Sequence, residues 1–204
     1  MIISDLPKKI AIFPLSNAIF FPKTILPLNI FEDRYLQLVD DCMKTERLFG
    51  MIQPRDKSIA KPNLYSVGCL GKIVNFNETN DKRFIISLSG VIRFRLKEEL
   101  NTKKLYREFL VDYAAFTNDL TEKKIKEDKY RKSNLFSKIK LFLEKKNYLI
   151  EFNELDKLNF DQLISTICMI SPFSVEEKQK LVEAIQIDEK LNVLDEIINF
   201  NLLD

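Results

Sequence analysis

Few residues in this chain could carry chemistry, and their spacing does not suit it. Adjacent carboxylate pairs such as Asp40-Asp41, Glu98-Glu99 and Glu176-Glu177 are the raw material for general acid–base catalysis. Neighbouring side chains on a helix do not face each other, so each pair reads as a solvated face, not a dyad. There is no histidine, which removes the commonest general base and the imidazole ligands of a metal site. Cys42, Cys69 and Cys168 lie far apart among apolar neighbours with no C-x-x-C pair. They predict neither a zinc site nor a disulfide framework and read as reduced, buried thiols of a reducing compartment. Gly68-Cys-Leu-Gly-Lys72 has the residue types of a phosphate loop but not the G-x-x-x-x-G-K-[ST] spacing, and Ile73 follows the lysine. Two glycines bending a strand explain it. No catalytic residue, metal or cofactor is expected, and recognition becomes the leading expectation.

The elements behind these residues fall into two textures. From residue 9 to about 117 the pattern is mostly β with one helix; from about 118 to 204 it is helical. Residues 1–117 and 118–204 are therefore expected to form two subdomains. Phe84, Ile86, Leu88, Ile92, Phe94 and Leu96 alternate with polar residues, and at Gly90 the alternation skips a side chain, which predicts one long kinked strand. Leu48–Gln53 and Leu64–Phe76 read as further strands. Phe109, Val111, Tyr113 and Ala115 share one face of another. Long bent strands suit a small closed or half-closed barrel. Asn29 with Glu32 has the spacing of a capping box, and Phe31, Tyr35, Leu38, Val39 and Cys42 recur at helical period behind it. In the second half, helices are predicted from Asp161 to Ile170, behind a Ser174–Glu177 box, and from Asp188 onward, with Leu181, Val182, Ile185, Leu191, Leu194, Ile198 and Leu202 inward.

A chain of 204 residues, 46% hydrophobic and 30% charged, has an ordinary globular composition and can bury a real core. Its net charge of +2 gives no strong pull toward nucleic acid or an anionic membrane. The charge is uneven, because residues 121–146 hold ten Lys or Arg against four Asp or Glu. The N-terminus lacks a charged region ahead of an apolar one, and no apolar run reaches the ~20 residues of a membrane span. A cytoplasmic protein with no leader is expected.

Prolines at 14, 22 and 27 break the apolar stretch Ile10–Tyr35 into short extended pieces. Within it stand Phe13-Pro-Leu-Ser-Asn, then Phe21-Pro22, then Leu26-Pro-Leu-Asn-Ile-Phe-Glu-Asp-Arg-Tyr35. Val67-Gly-Cys-Leu-Gly-Lys-Ile73, Leu88-Ser-Gly-Val-Ile-Arg-Phe-Arg95 and Ser171-Pro-Phe-Ser-Val-Glu-Glu-Lys-Gln179 follow in order. Together these motifs cover nearly the whole chain, and in combination the sequence resembles the Lon N-terminal (substrate-binding) domain family. Two positions depart from the pattern: Lys23 stands for the glycine usual after Phe-Pro, and Asn29 for a common histidine. The resemblance implies an α+β protein, a PUA-like β-barrel followed by a helical bundle. In Lon proteases such a region precedes ATPase and peptidase modules, for which these 204 residues leave no room. It implies binding of unfolded or hydrophobic polypeptide in protein quality control, with protease components as further partners.

For polypeptide the candidates are Phe20, Phe21, Ile25 and Tyr35, on the segment around Ala18–Leu28. Phe20 and Phe21 are adjacent, so in an extended chain only one would enter the core. An alternative follows from fold analogy: RNA contacts through Arg93 and Arg95 and, on the basic helix 121–146, Lys123, Lys124, Arg131 and Lys132.

Overall fold

Strand β5, Phe84–Leu100, organises the first half of the protein. Its Phe84, Ile86, Leu88, Ile92 and Phe94 are buried, and Gly90 keeps the same inward phase without a side chain. There β5 bulges against β4 (Val67–Glu78): Leu70 pairs with Ile92 but Gly71 pairs with Gly90, leaving Val91 as the extra residue. Such a bulge bends the strand and raises its twist. Bending lets one long strand serve two neighbours. Its first part, to Ser89, pairs with β2 (Ile25–Ile30), and its last part, from Arg95, pairs with β6 (Arg107–Asp112).

The computed structural model describes residues 2–56, 61–121, 129–148, 155 and 158–203, the side chains of 129–132 excepted. The chain divides into two compact units, Met1–Thr121 and Glu122–Asp204. In the first, the strand order is β2-β5-β4-β3-β1-β6, with β3 at Leu48–Ile52 and β1 at Lys9–Pro14. Because β6 also pairs with β5, five strands close into a barrel and β2 extends β5 as an edge. Only β1 and β3 run parallel among the paired strands. Ile12, Phe49, Leu70, Leu88, Ile92 and Phe94 fill the interior. The fold class is α+β, as expected.

Helix α1, Asp33–Met43, buries Tyr35, Leu38, Val39 and Cys42. Its start corrects the sequence expectation. Leu28 and Ile30 bury at strand period, so β2 holds its pairing with β5 as far as Ile30 and Asn29 lies opposite Ile85. Asn29 therefore does not cap. Glu32 is the cap residue, without a side-chain cap bond, and Phe31 lies outside the helix and exposed. Strand pairing has outcompeted the local capping pattern. Behind β6, Ala114–Leu120 form a 3-10 helix that buries Phe116, so the exposed Ala115 leaves the strand face.

In the second unit the described helices are α2 (Lys129–Lys145), α3 (Phe160–Ile170), α4 (Val175–Glu183) and α5 (Ile187–Leu203). Asn159 caps α3, and Ser174 with Glu177 forms the full capping box of α4. Helix α5 packs against α2, α3 and α4. Ile139, Phe142, Leu163, Leu181, Leu194 and Ile198 form the core. Ile185, expected inward, lies in the turn between α4 and α5 and is exposed. No described helix is long and apolar enough to cross a membrane.

Candidate recognition surface

The carboxylate pairs turn out to be structural. Asp41 accepts the Tyr106 hydroxyl at 2.9 Å, which holds its carboxyl below the usual range. Glu99 accepts two Arg107 bonds, each 3.0 Å, and pairs with Lys61 at 3.1 Å. Glu177 closes its capping box. A cavity of about 350 Å³ gathers Asp41, Cys42, Lys104, Tyr106 and Glu108. Its thiol, phenol and ammonium stay protonated at neutral pH. Burial pushes the Cys42 thiol and the Tyr106 phenol up to about 12, and the hydrogen bond to Tyr106 raises Lys104. A nucleophile or base needs the opposite shifts. Among the described residues no group of three or more His, Cys, Asp or Glu could hold a metal ion.

The candidates for polypeptide contact separate. Phe20 is 2% exposed and Phe21 is fully buried. Both turn inward because residues 18–24 are not an extended strand. Lys23 adopts a left-handed φ of 62°, the Thr24 hydroxyl donates to the Phe21 carbonyl at 2.6 Å, and Lys23 N–H donates to Gly90 O at 2.9 Å. The seat for the two phenylalanines is the Gly71–Gly90 pair of the β4–β5 ladder. A methyl at Gly71 would strike the Phe20 ring, and one at Gly90 the Phe21 carbonyl. Tyr35 is also buried, its ring 4.1 Å from that of Phe13. Burial takes these three off the surface. Ile25 remains outside, 56% exposed.

The phosphate candidates divide too. Arg93 is buried; its guanidinium grips Asp119 with bonds of 2.9 and 2.8 Å and lies 4.7 Å over the Phe116 ring. Freeing it for phosphate would strand a buried carboxylate, at a cost of several kcal/mol. Arg95 is exposed. Lys123 and Lys124 lie outside the described residues, and so do the side chains of Arg131 and Lys132.

Ile25 belongs to a larger surface. At strand period, Ile25, Pro27, Asn29 and then Phe31 face out, all exposed, while Leu28 and Ile30 face in. Ladder pairing sets Asn29 beside Ile85, Pro27 beside Ser87, and Ile25 beside Ser89. Strand β4 continues this outer face with Asn75 and Asn77. Phe31 is 62% exposed with the Arg83 guanidinium 5.8 Å from its ring, and Ile85 is 41% exposed. Charges on these strand positions stand only at the ends, at Arg83 and Lys72, in a chain that is 30% charged. An exposed apolar sheet face is an ordinary mark of a contact site. Strand β2 also keeps one edge without a strand partner among the described residues. Sequence reading missed Phe31 and Ile85. Period-two alternation through 25, 27, 29 and 31 was the available signal for the first.

Known proteins resemble this arrangement along most of its length. The family model described as ATP-dependent protease La (LON) substrate-binding domain matches residues 9–199. The Lon protease of Desulfosudis oleivorans is 31% identical over 97% of this chain, and that of Syntrophus aciditrophicus 28% over 98%. The chain spans 24% and 26% of their lengths. Among solved structures, the N-terminal domain of Mycobacterium avium complex Lon protease superposes with a TM-score of 0.65 at 15% identity. The Lon N-terminal domain protein from Xanthomonas campestris does so with 0.59 at 19%. Each covers 94% of this chain and 98% of its own. These two likenesses concern the fold.

Proposed function

Because the chain belongs to the ATP-dependent protease La (LON) substrate-binding domain family, we propose that it is a non-catalytic module that recognises unfolded or hydrophobic polypeptide. The observation that carries this reading is the exposed, charge-poor outer face of β2, β5 and β4, with Ile25, Phe31 and Ile85. Each of these side chains is about half exposed, so covering it contributes on the order of 1 kcal/mol, roughly 3–4 kcal/mol for the three before ordering costs. Such a surface holds a client weakly and releases it. The open edge of β2 adds main-chain hydrogen bonding, which takes an extended segment whatever its sequence. Pro27 in that strand has no amide proton to give, which keeps any pairing along this edge short. Asn29, Asn75 and Asn77 supply uncharged hydrogen-bonding groups that tolerate varied clients. The proposed setting is cytoplasmic protein quality control, with protease components as further partners.

The test is binding of a permanently unfolded polypeptide and of a structured RNA, each at low and moderate salt. Polypeptide binding that persists at moderate salt supports the reading, since apolar contacts are little screened. RNA binding alone, falling steeply with salt, overturns it.

A further inference from the structure

The second unit carries a recognition surface of different character. Helices α4 and α5 flank a groove of about 600 Å³ lined by Ala184, Val193, Ile197 and Phe200 and rimmed by glutamates. On α5 the lining residues Glu189, Val193, Glu196, Ile197 and Phe200 recur three and four apart, which makes one helical stripe. Ala184 and Ile197 are buried and form the floor, whereas Phe200 stands 63% exposed. Glu177 and Glu183 edge the groove from α4, Glu189 and Glu196 from α5, and Lys180 is its one cation. Four carboxylates against one ammonium leave the groove at −3, although the whole chain is +2.

These carboxylates hold hydrogen bonds but no counter-charge. Glu177 accepts the Ser174 N–H and the Asn201 amide, Glu183 the Gln179 amide, and Glu189 the Ile185 N–H. All of those donors are neutral. No ion pair among the described residues involves any of the four, whereas on the far side of α5 Asp195 is already taken by Lys138 at 2.6 Å. The charge is thus left for an occupant.

We propose that the α4–α5 groove docks a cationic amphipathic polypeptide segment, one with Lys or Arg flanking an apolar stripe. Its apolar residues cover Phe200, Val193 and the floor while its cations meet the two acidic rims. An acidic segment is repelled, and a neutral one gains only the apolar part. This groove belongs to the second unit and adds a charge preference that the β2–β5–β4 face of the first lacks.

The test uses fluorescent Leu/Lys and Leu/Glu helical peptides of equal length and apolar content with the whole protein, followed by anisotropy. Leu/Lys peptide should bind and Leu/Glu should not. Glu183→Lys with Glu196→Lys, both exposed positions, should weaken Leu/Lys binding at least tenfold, and Phe200→Ser several-fold. Circular dichroism of each variant verifies folding, and the Phe200→Ser result stands if the double variant is unstable. Leu105→Ser, an exposed apolar position on neither surface, should leave Leu/Lys binding unchanged, which separates the groove from unspecific apolar adsorption. Equal affinity for both peptides, no binding of either, or indifference to the groove substitutions overturns the proposal. So does concentration-dependent self-association abolished by Glu183→Lys with Glu196→Lys, which would make a second copy of the chain the occupant.

Discussion

Phe20-Phe21 and the stretch Ile25–Phe31 are close neighbours in sequence and similarly apolar, yet one is sealed inside the barrel unit and the other sends every second residue to its surface. Hydrophobicity does not separate them. Partners more than forty residues away do: Gly71 and Gly90, paired across the β4–β5 ladder, leave the room taken by the Phe20 ring and the Phe21 carbonyl. Just beyond the bulge, strand β2 pairs with β5 from Ile25 to Ile30 without a break in register. There strict alternation sends every second residue outward. One bulge in β5 thus decides which apolar residues hold the fold and which are left for a partner.

The contrast can be broken in order of expected effect. Phe21→Ala empties a fully enclosed site and should cost about 3–5 kcal/mol in urea unfolding; a loss below 1 kcal/mol would deny the seat. Gly90→Ala forces the Phe21 carbonyl away from β5 and should cost about 2–3 kcal/mol, as overpacking does. A neutral result would mean that the 18–24 segment is not fastened there. At Lys23, whose left-handed φ permits the turn, a β-branched residue is a poor fit. Lys23→Val should therefore lose about 1 kcal/mol or more relative to Lys23→Gly, on the scale of the left-handed penalty. Ile25→Ser should change stability by less than about 0.5 kcal/mol, as for other exposed positions. A larger loss would move Ile25 to the structural side of the comparison.

Much of the fold was legible because its signals are local. Alternation in β5, the missing side chain at Gly90 and the Ser174–Glu177 box each need only a few adjacent residues. Asn29–Glu32 shows the limit of such reading. Its capping pattern is intact, but pairing of β2 with β5 competes for the same residues and wins. The site was less legible for the same reason. Ile25 could be proposed from sequence, whereas the adjacency of Asn29 and Ile85 is a matter of register between strands more than fifty residues apart. Arg93 looked available because it falls on the polar side of its strand. Its partner Asp119 comes from the 3-10 helix behind β6, which no spacing rule connects to it.

The most direct test of the account is amide and methyl chemical-shift mapping with a permanently unfolded, uncharged polypeptide. Shifts centred on Ile25, Asn29, Phe31 and Ile85, with Phe20 and Phe21 undisturbed, are predicted. Shifts at Phe20 and Phe21 with the β2–β5–β4 face silent would contradict the division between structural and recognising residues.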